Sequence, residues 1–371
     1  MSADSNTQTL RCVMRYQPST LARKFFSYSG LLALLSLSST NLLVADHRED
    51  KEKDKDDIVA DDKEDTVRLV YSDFNSSPAS ALQEYQQFWF NPYGPGELAA
   101  GGTFSLQGGR LSLGMSPFRT SYDFSVYDHI KYLGISTMPV AVPSSGSVTI
   151  STDIGTRTSG VIDGKVINGT YIMSGAPYSA TLNAAQQACA SLNVIDFASG
   201  QLFDWLISGD RAFALAERLP SSVTGSQNPV GLNKIFTQFI GDFKVNKQRM
   251  NTYSIRYNRK VDTQGVAHDS VDFMINGEVK VSYKNIGIPP DRQGMHVSTY
   301  PSLGNGELLD GQIQNLSIGN GIFSLVDAFP FQLSDADAAP YAVSIPVSER
   351  IWGQGIDAQF DNIIIVTHTD D

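Results

Sequence analysis

Four charged side chains share one short, aromatic-flanked segment, and this is the first place in the sequence where chemistry could be done. The segment reads FDWLISGDRAFALAERLP from Phe203 to Pro220 and carries Asp204, Arg211, Glu217 and Arg218. Alternate residues of a strand face the same side. Phe203, Trp205 and Ile207 therefore share one face, with Asp204 and Ser208 on the other. On the return strand Arg211 and Glu217 go together and Arg218 takes the alternate face. Removing an ion from water without a partner costs on the order of several kcal/mol. Either these charges pair in a structural network, or they line a wet concave cleft in which Glu217 and Asp204 are candidate catalytic acids.

Other chemistry-bearing residues are more scattered. His296, in the loop-rich Gln293-Gly-Met-His-Val beside Tyr300, could serve as a general base or a metal ligand, although a single loop histidine is usually neither. Asp272 and Glu278 flank the Asn276-Gly277 turn and read as solvent-facing hairpin residues rather than as an acid pair. Trp89 and Tyr93 lie beside the turn-rich Asn91-Pro-Tyr-Gly-Pro-Gly, and Tyr300 and Trp352 lie by loops. With Trp205 they form a candidate ligand-binding set, because exposed ring faces stack on the C–H faces of sugars. The competing reading makes the same rings core packing. Asp327, Asp335 and Asp337 could offer oxygens to calcium but lack a full ligand set, and no cofactor is expected. The sequence has no Gly-x-Ser-x-Gly elbow, no His-Glu-x-x-His and no phosphate-cradling glycine loop.

The elements that must hold these residues are strands. From Asn251 to Pro289 three alternating runs follow one another: Tyr253, Ile255, Tyr257; then Val271, Phe273, Ile275; then Val279, Val281, Tyr283. Asn276-Gly277 supplies the left-handed pair of a tight hairpin between the last two. Gly209-Asp210 turns the Phe203–Pro220 hairpin, and Gly108-Gly109 turns another between Thr103–Leu106 and Leu111–Met115. Further strands are predicted at 67–74, 129–136, 147–154, 166–173, 236–243, 311–318 and 358–367, with 319–328 as a turn and an apolar run. Thr181–Leu192 breaks the rhythm: Leu182, Ala185, Cys189 and Leu192 fall on one helical face, which predicts a short helix with Cys189 as a small buried hydrophobe. The fold class expected is all-β, an antiparallel sandwich with one short helix.

Three stretches carry a resemblance: the Phe203–Pro220 hairpin, YSIRYNRK…HDSVDFMINGEVKV from Tyr253 to Val281, and IWGQGIDAQFDNIIIV from Ile351 to Val366. Together with YSDF at Tyr71–Phe74 they resemble the concanavalin A-like jelly-roll sandwiches of lectins, laminin G domains and glucanases. Within that superfamily they resemble an exported bacterial and fungal family of uncharacterised function. The resemblance implies architecture and export, and it carries over no catalytic residues. The Glu-x-Asp-x-Glu triplet of laminarinase-like relatives is absent.

Residues 1–45 place Arg11, Arg15, Arg23 and Lys24 before an apolar run at 25–44, which predicts a cleaved export signal or, as the alternative, a membrane anchor. Residues 46–66 hold eleven acidic and five basic residues with little to bury, and read as a disordered linker. Residues 67–371 form the sandwich domain. The net charge of −11 argues against nucleic acid as a partner. A mature chain would keep Cys189 alone, so no internal disulfide is expected, and a monomer is assumed. The leading function is a carbohydrate-binding or surface-recognition module. The alternatives are an enzyme acting on a polysaccharide or a lipophilic small molecule, and a structural coat or matrix protein. Asn75, Asn168 and Asn315 are glycosylation acceptors if the host glycosylates exported chains.

Overall fold

Turn chemistry sets where the chain reverses. Asn276 and Gly277 both adopt positive φ, 52° and 80°, the left-handed pair that a two-residue hairpin between right-twisted strands requires. The computed structural model describes residues 65–75, 85–86, 89–90, 102–119, 129–234, 236–284, 286–289, 306–327 and 343–370. All of them belong to one compact unit, Asp54–Asp371.

In chain order the strands are β1 (Asp65–Ser72), β2 (Trp89–Phe90), β3 (Thr103–Leu106), β4 (Leu111–Met115), β5 (Ile130–Ser136), β6 (Val140–Ala141), β7 (Gly146–Ser159), β8 (Lys165–Tyr171), β9 (Pro177–Leu182), β10 (Cys189–Asp196) and β11 (Gln201–Ser208). They continue with β12 (Arg211–Arg218), β13 (Phe236–Lys244), β14 (Asn251–Val261), β15 (Ala267–Ile275), β16 (Glu278–Lys284), β17 (Gly287–Ile288), β18 (Glu307–Leu308), β19 (Asn315–Phe323), β20 (Val343–Ser344) and β21 (Gly355–Thr369). One sheet has the order β16-β15-β14-β7-β21-β4-β3, with β1 also on β21. The second large sheet has the order β13-β12-β11-β10-β19-β5-β2, with β6 also on β19, and two small sheets, β17-β18 and β20-β8-β9, complete the described strands. Every pairing is antiparallel, including the long central pair β7–β21. This is the all-β antiparallel sandwich expected from the sequence.

The core lies between the two sheets. The first sheet contributes Tyr253, Ile255, Tyr257, Val271 and Phe273. The second contributes Phe203, Trp205, Ile207 and the small Ala212, Ala214 and Ala216. Trp205 stands opposite Ala214, so the large ring is flanked by a small neighbour and both sheets keep close packing. Its ring meets Tyr253, Phe243 and Phe273 edge-on at centroid distances of 5.7, 5.8 and 5.4 Å. Its Nε1 donates to the Ser254 carbonyl at 3.0 Å. Trp205→Phe should therefore cost at least about 0.5–1.5 kcal/mol, the net worth of a lost buried hydrogen bond, with the antiparallel circular dichroism signal unchanged. A loss under a few tenths would show that the indole bond contributes nothing.

Two local expectations are corrected. The helix at 181–192 shrinks to α1 (Ala184–Gln187), capped by Asn183 in a reciprocal pair with Gln186. Cys189 instead begins β10, a strand paired on both sides, by β11 and β19. The apolar spacing suits either element, and two ladders of hydrogen bonds outweigh the helical preference. There are also two more four-residue helices among the described residues, α2 (Ser221–Thr224) and α3 (Val347–Arg350). The turn expected at the start of 319–328 is instead the second half of β19, up to Phe323, whose Gly319 and Gly321 allow close approach of Asn193 and of Tyr132 and Phe323; Leu325–Asp327 then forms a 3₁₀ turn.

Candidate functional site

The face of the second sheet that points away from the core holds the acid pair. Asp204 stands opposite Asn193 on β10 and Leu215 on β12. Glu217, two residues beyond Leu215, stands opposite Leu202 and Thr237. Diagonal neighbours of this kind have Cα atoms about 7–8 Å apart. Around them Leu206, Phe213, Leu215, Cys189 and Phe323 form an apolar cluster, joined by Ala185 of α1 and Leu325. Asp204 is 3% exposed, whereas Glu217 keeps part of its surface in contact with solvent.

The hairpin arginines do not neutralise the pair. Arg211 makes a two-pronged bond to Asp242, with Nε to Oδ1 at 2.9 Å. Arg218 is buried at the end of the sandwich. It bonds Glu307 at 2.6 Å and caps the carbonyls of Leu219, Val230 and Leu232. Among the described residues neither Asp204 nor Glu217 forms an ion pair. What Asp204 has is an amide: Asn193 Nδ2 donates to its Oδ1 at 2.5 Å, and Ser191 Oγ donates to Asn193 Oδ1 at 2.8 Å, which fixes the amide's orientation.

Burial without a cation disfavours the charged form. It pushes the Asp204 carboxyl well above the usual carboxylate range, and the neighbouring Glu217 charge adds to this. Burial pushes Glu217 up to about 7, with the Thr237 hydroxyl pulling the other way. The same burial, with the two acids nearby, pushes the Cys189 thiol up. Cys189 is thus a neutral, fully buried thiol, as the sequence reading expected. Two neighbouring carboxyls among apolar side chains, both pushed toward the protonated form, are an arrangement that acid–base catalysis uses.

The other candidates are dispersed. Trp205 points into the core, on the face opposite Asp204, and Trp89 is 2% exposed, stacked on Tyr85 and edge-on to Tyr71. The expectation that these rings form a ligand platform is therefore corrected: neither presents a face to solvent. Trp352 is half-buried, with its Nε1 bonded to the Gly160 carbonyl and the Lys165 ammonium 4.8 Å from the ring centre. Tyr93, His296, Tyr300, Asp335 and Asp337 lie outside the described residues, and Asp327 closes a 3₁₀ turn. Asp272 is not solvent-facing as expected but buried and held by Arg256, Asn258 and Ser282, whereas Glu278 is solvent-facing as expected and pairs with Lys280 at the surface. Asn75, Asn168 and Asn315 occupy exposed positions. The sequence reading missed Asn193, Ser191 and Thr237. Their only signal is polarity at alternate positions of otherwise apolar strands.

A profile of a family of unknown function, DUF6081, matches residues 110–369, most of the sandwich. The chain belongs to DUF6081. In this DUF6081 chain the match includes every residue of the acid pair and its hydrogen-bonded neighbours. No curated protein matches the sequence. Among solved structures, an endo-1,3-beta-glucanase from Streptomyces sioyaensis is 8% identical, with a TM-score of 0.36 over 81% of this chain and 95% of that one. A marine PL-14 alginate lyase from Aplysia kurodai is 12% identical, with a TM-score of 0.33 over 81% and 98%. The carbohydrate recognition domain of Emp46p, in its metal-free form, is 8% identical, with a TM-score of 0.32 over 80% and 94%. Likenesses this distant assign no activity to the DUF6081 chain.

Proposed function

We propose that this DUF6081 chain is an exported enzyme that cleaves a polysaccharide by acid–base chemistry, with Glu217, kept protonated by its burial, as the proton donor and Asp204 as its neighbouring carboxyl. The observation that carries this reading is the pair itself: two neighbouring carboxyls among apolar side chains, with no ion-pair partner among the described residues and one of them on a partly exposed residue. A purely structural pair would be closed by the two arginines of its own hairpin, and those arginines bond elsewhere. Glu217, neutral up to about 7, can deliver its proton to the departing oxygen of a glycosidic bond while a water molecule bonds to the sugar carbon, and the proton that water gives up restores the acid. Asp204, fixed by Asn193, is a positioning residue. The burial of Trp89 and Trp205 removes two of the ring platforms that a stacking-based binding module would use.

The test is release of reducing ends from a panel of polysaccharides by the purified chain. Turnover of at least one substrate is expected, with a rate that falls as pH rises through about 7, because the donor must carry its proton. Binding without turnover would return the reading to a recognition module. The apolar walls formed by Leu206, Phe213 and Leu215 favour a second reading, in which the same pair acts on a lipophilic small molecule. That reading gains if hydrophobic esters, and no glycans, are turned over. Export is supported by the basic residues ahead of the apolar run at 25–44. Cell fractionation should place the chain outside the cytoplasm, and full-length chain soluble in the cytosol would refute this part.

A further inference from the structure

The other sheet carries an open groove of different character. Across β7 and β21, Gly155 pairs with Gln359 and Arg157 with Asp357, and all four lie on the face away from the core. Arg110 reaches over from the turn before β4, with Nη1 3.3 Å from Gln359 Oε1 and Nε 3.8 Å from Asp361. Lys247, Gln248, Arg249 and Met250, between β13 and β14, form the wall. The groove so enclosed measures about 480 Å³. Four cations line it; the carboxylates beside them are Asp357 in the lining and Asp361 next to Arg110, in a chain whose net charge is −11. Arg157 is 85% exposed and shares Asp357 with solvent, while Lys247 and Arg249 have no acidic partner among the described residues.

The floor is as informative as the charge. Gly155 has no side chain, and Met250 Cγ lies 3.0 Å from where a Cβ would stand, so a methionine rather than a polar group covers this part of the sheet. Gln359 directs its carbonyl to Arg110 and keeps its amide donors. Cations, an amide donor and an apolar floor together match a ring-bearing anion better than a bare ion. Guanidinium forks in particular suit carboxylate or sulfate oxygens. A nucleic acid, with its dense phosphates, would meet the negative charge of the rest of the molecule.

We propose that this groove is a second binding site, for an acidic saccharide bearing carboxylate or sulfate groups. The site is separate from the acid pair, which lies on the opposite sheet. The experiment is calorimetric titration of the full chain with an oligogalacturonide, a sulfated oligosaccharide, a neutral oligosaccharide and inorganic phosphate, at low and at physiological salt. One or both acidic saccharides should bind, the neutral one should not, and affinity should fall with salt. Which of the two binds identifies the anionic group. The double variant Lys247→Glu, Arg249→Glu changes only exposed side chains, and it should lose affinity by roughly tenfold or more. Glu217→Gln should bind as the parent does, so failure of the catalytic reading and failure of this one remain distinguishable. The proposal is overturned if no acidic saccharide binds saturably, if phosphate binds as tightly as the saccharides, or if the double variant, folded by circular dichroism, keeps its affinity.

Discussion

Glu217→Gln is expected to abolish turnover and at the same time to make the protein more stable above neutral pH. The first effect follows from the role. A glutamine at 217 keeps the shape and a hydrogen-bond donor but cannot give up a proton, and loss of a positioned acid typically costs about 10²–10⁴ in rate. The second follows from linkage. In the unfolded chain the carboxyl titrates near its ordinary value of 4.5, and in the folded chain at about 7. Between those two values the folded state binds more protons than the unfolded state, so stability falls as pH rises through that window. Above it the wild type carries a constant penalty of roughly 3–4 kcal/mol, because each pH unit between the two values contributes about 1.4 kcal/mol. Glutamine removes that penalty. The variant should melt with the wild type at pH 4 and above it at pH 8. A variant less stable than wild type at both values would make Glu217 a structural residue, and retained turnover would remove it from the chemistry.

Asp269→Ala should be the most destabilising polar substitution among the described residues. Asp269 accepts from Arg259 Nε at 3.0 Å and from Nη2 at 3.1 Å, from the Tyr257 hydroxyl at 2.5 Å and from the Gly311 amide at 2.7 Å. Its side chain is 0% exposed and that of Arg259 is 5% exposed. Removing the carboxylate leaves a guanidinium buried with one remaining partner, the Ile313 carbonyl at 2.7 Å. Breaking a buried pair from one side costs about 3–5 kcal/mol. The comparison is Asp242→Ala, which breaks the exposed Arg211 pair and should cost at most about 1 kcal/mol. Denaturant titration of both variants at constant m-value checks this. Equal losses would mean that burial does not decide the strength of these pairs.

The contrast between the two networks shows what a sequence can and cannot disclose. Asn276-Gly277, Gly209-Asp210 and Gly108-Gly109 located their hairpins because turn chemistry is local, needing only a residue that tolerates positive φ. The alternation of Phe203, Trp205 and Ile207 likewise told which residues share a face. It did not tell which face is the core, and Trp205 went into the ligand set when its ring is the centre of the interior. The partners of Arg211 and Arg218 were beyond reach for a different reason. Asp242 and Glu307 lie 31 and 89 residues away, and only the β12–β13 ladder and the loop after β12 bring them close. The same nonlocality hid the basic groove, whose cations come from residues 110, 157, 247 and 249.

The stretch at 181–192 failed through competition rather than distance. Its apolar spacing fits a helix, and its Asn183–Gln186 cap does start one. The segment beginning at Cys189 then finds β11 on one side and β19 on the other, and the helix ends after one turn. This strand brings Asn193 to Asp204, so the misread element is also the one that orders the acid pair.

The most direct test is a carbon-13 NMR titration of the Glu217 side-chain carboxyl in the wild type and in Asp204→Asn. An apparent midpoint near 7 in the wild type is predicted, with a changed titration curve in Asp204→Asn because the charges of the two neighbouring carboxyls interact. A Glu217 midpoint at the ordinary glutamate value of 4.5, unmoved by Asp204→Asn, would contradict the account.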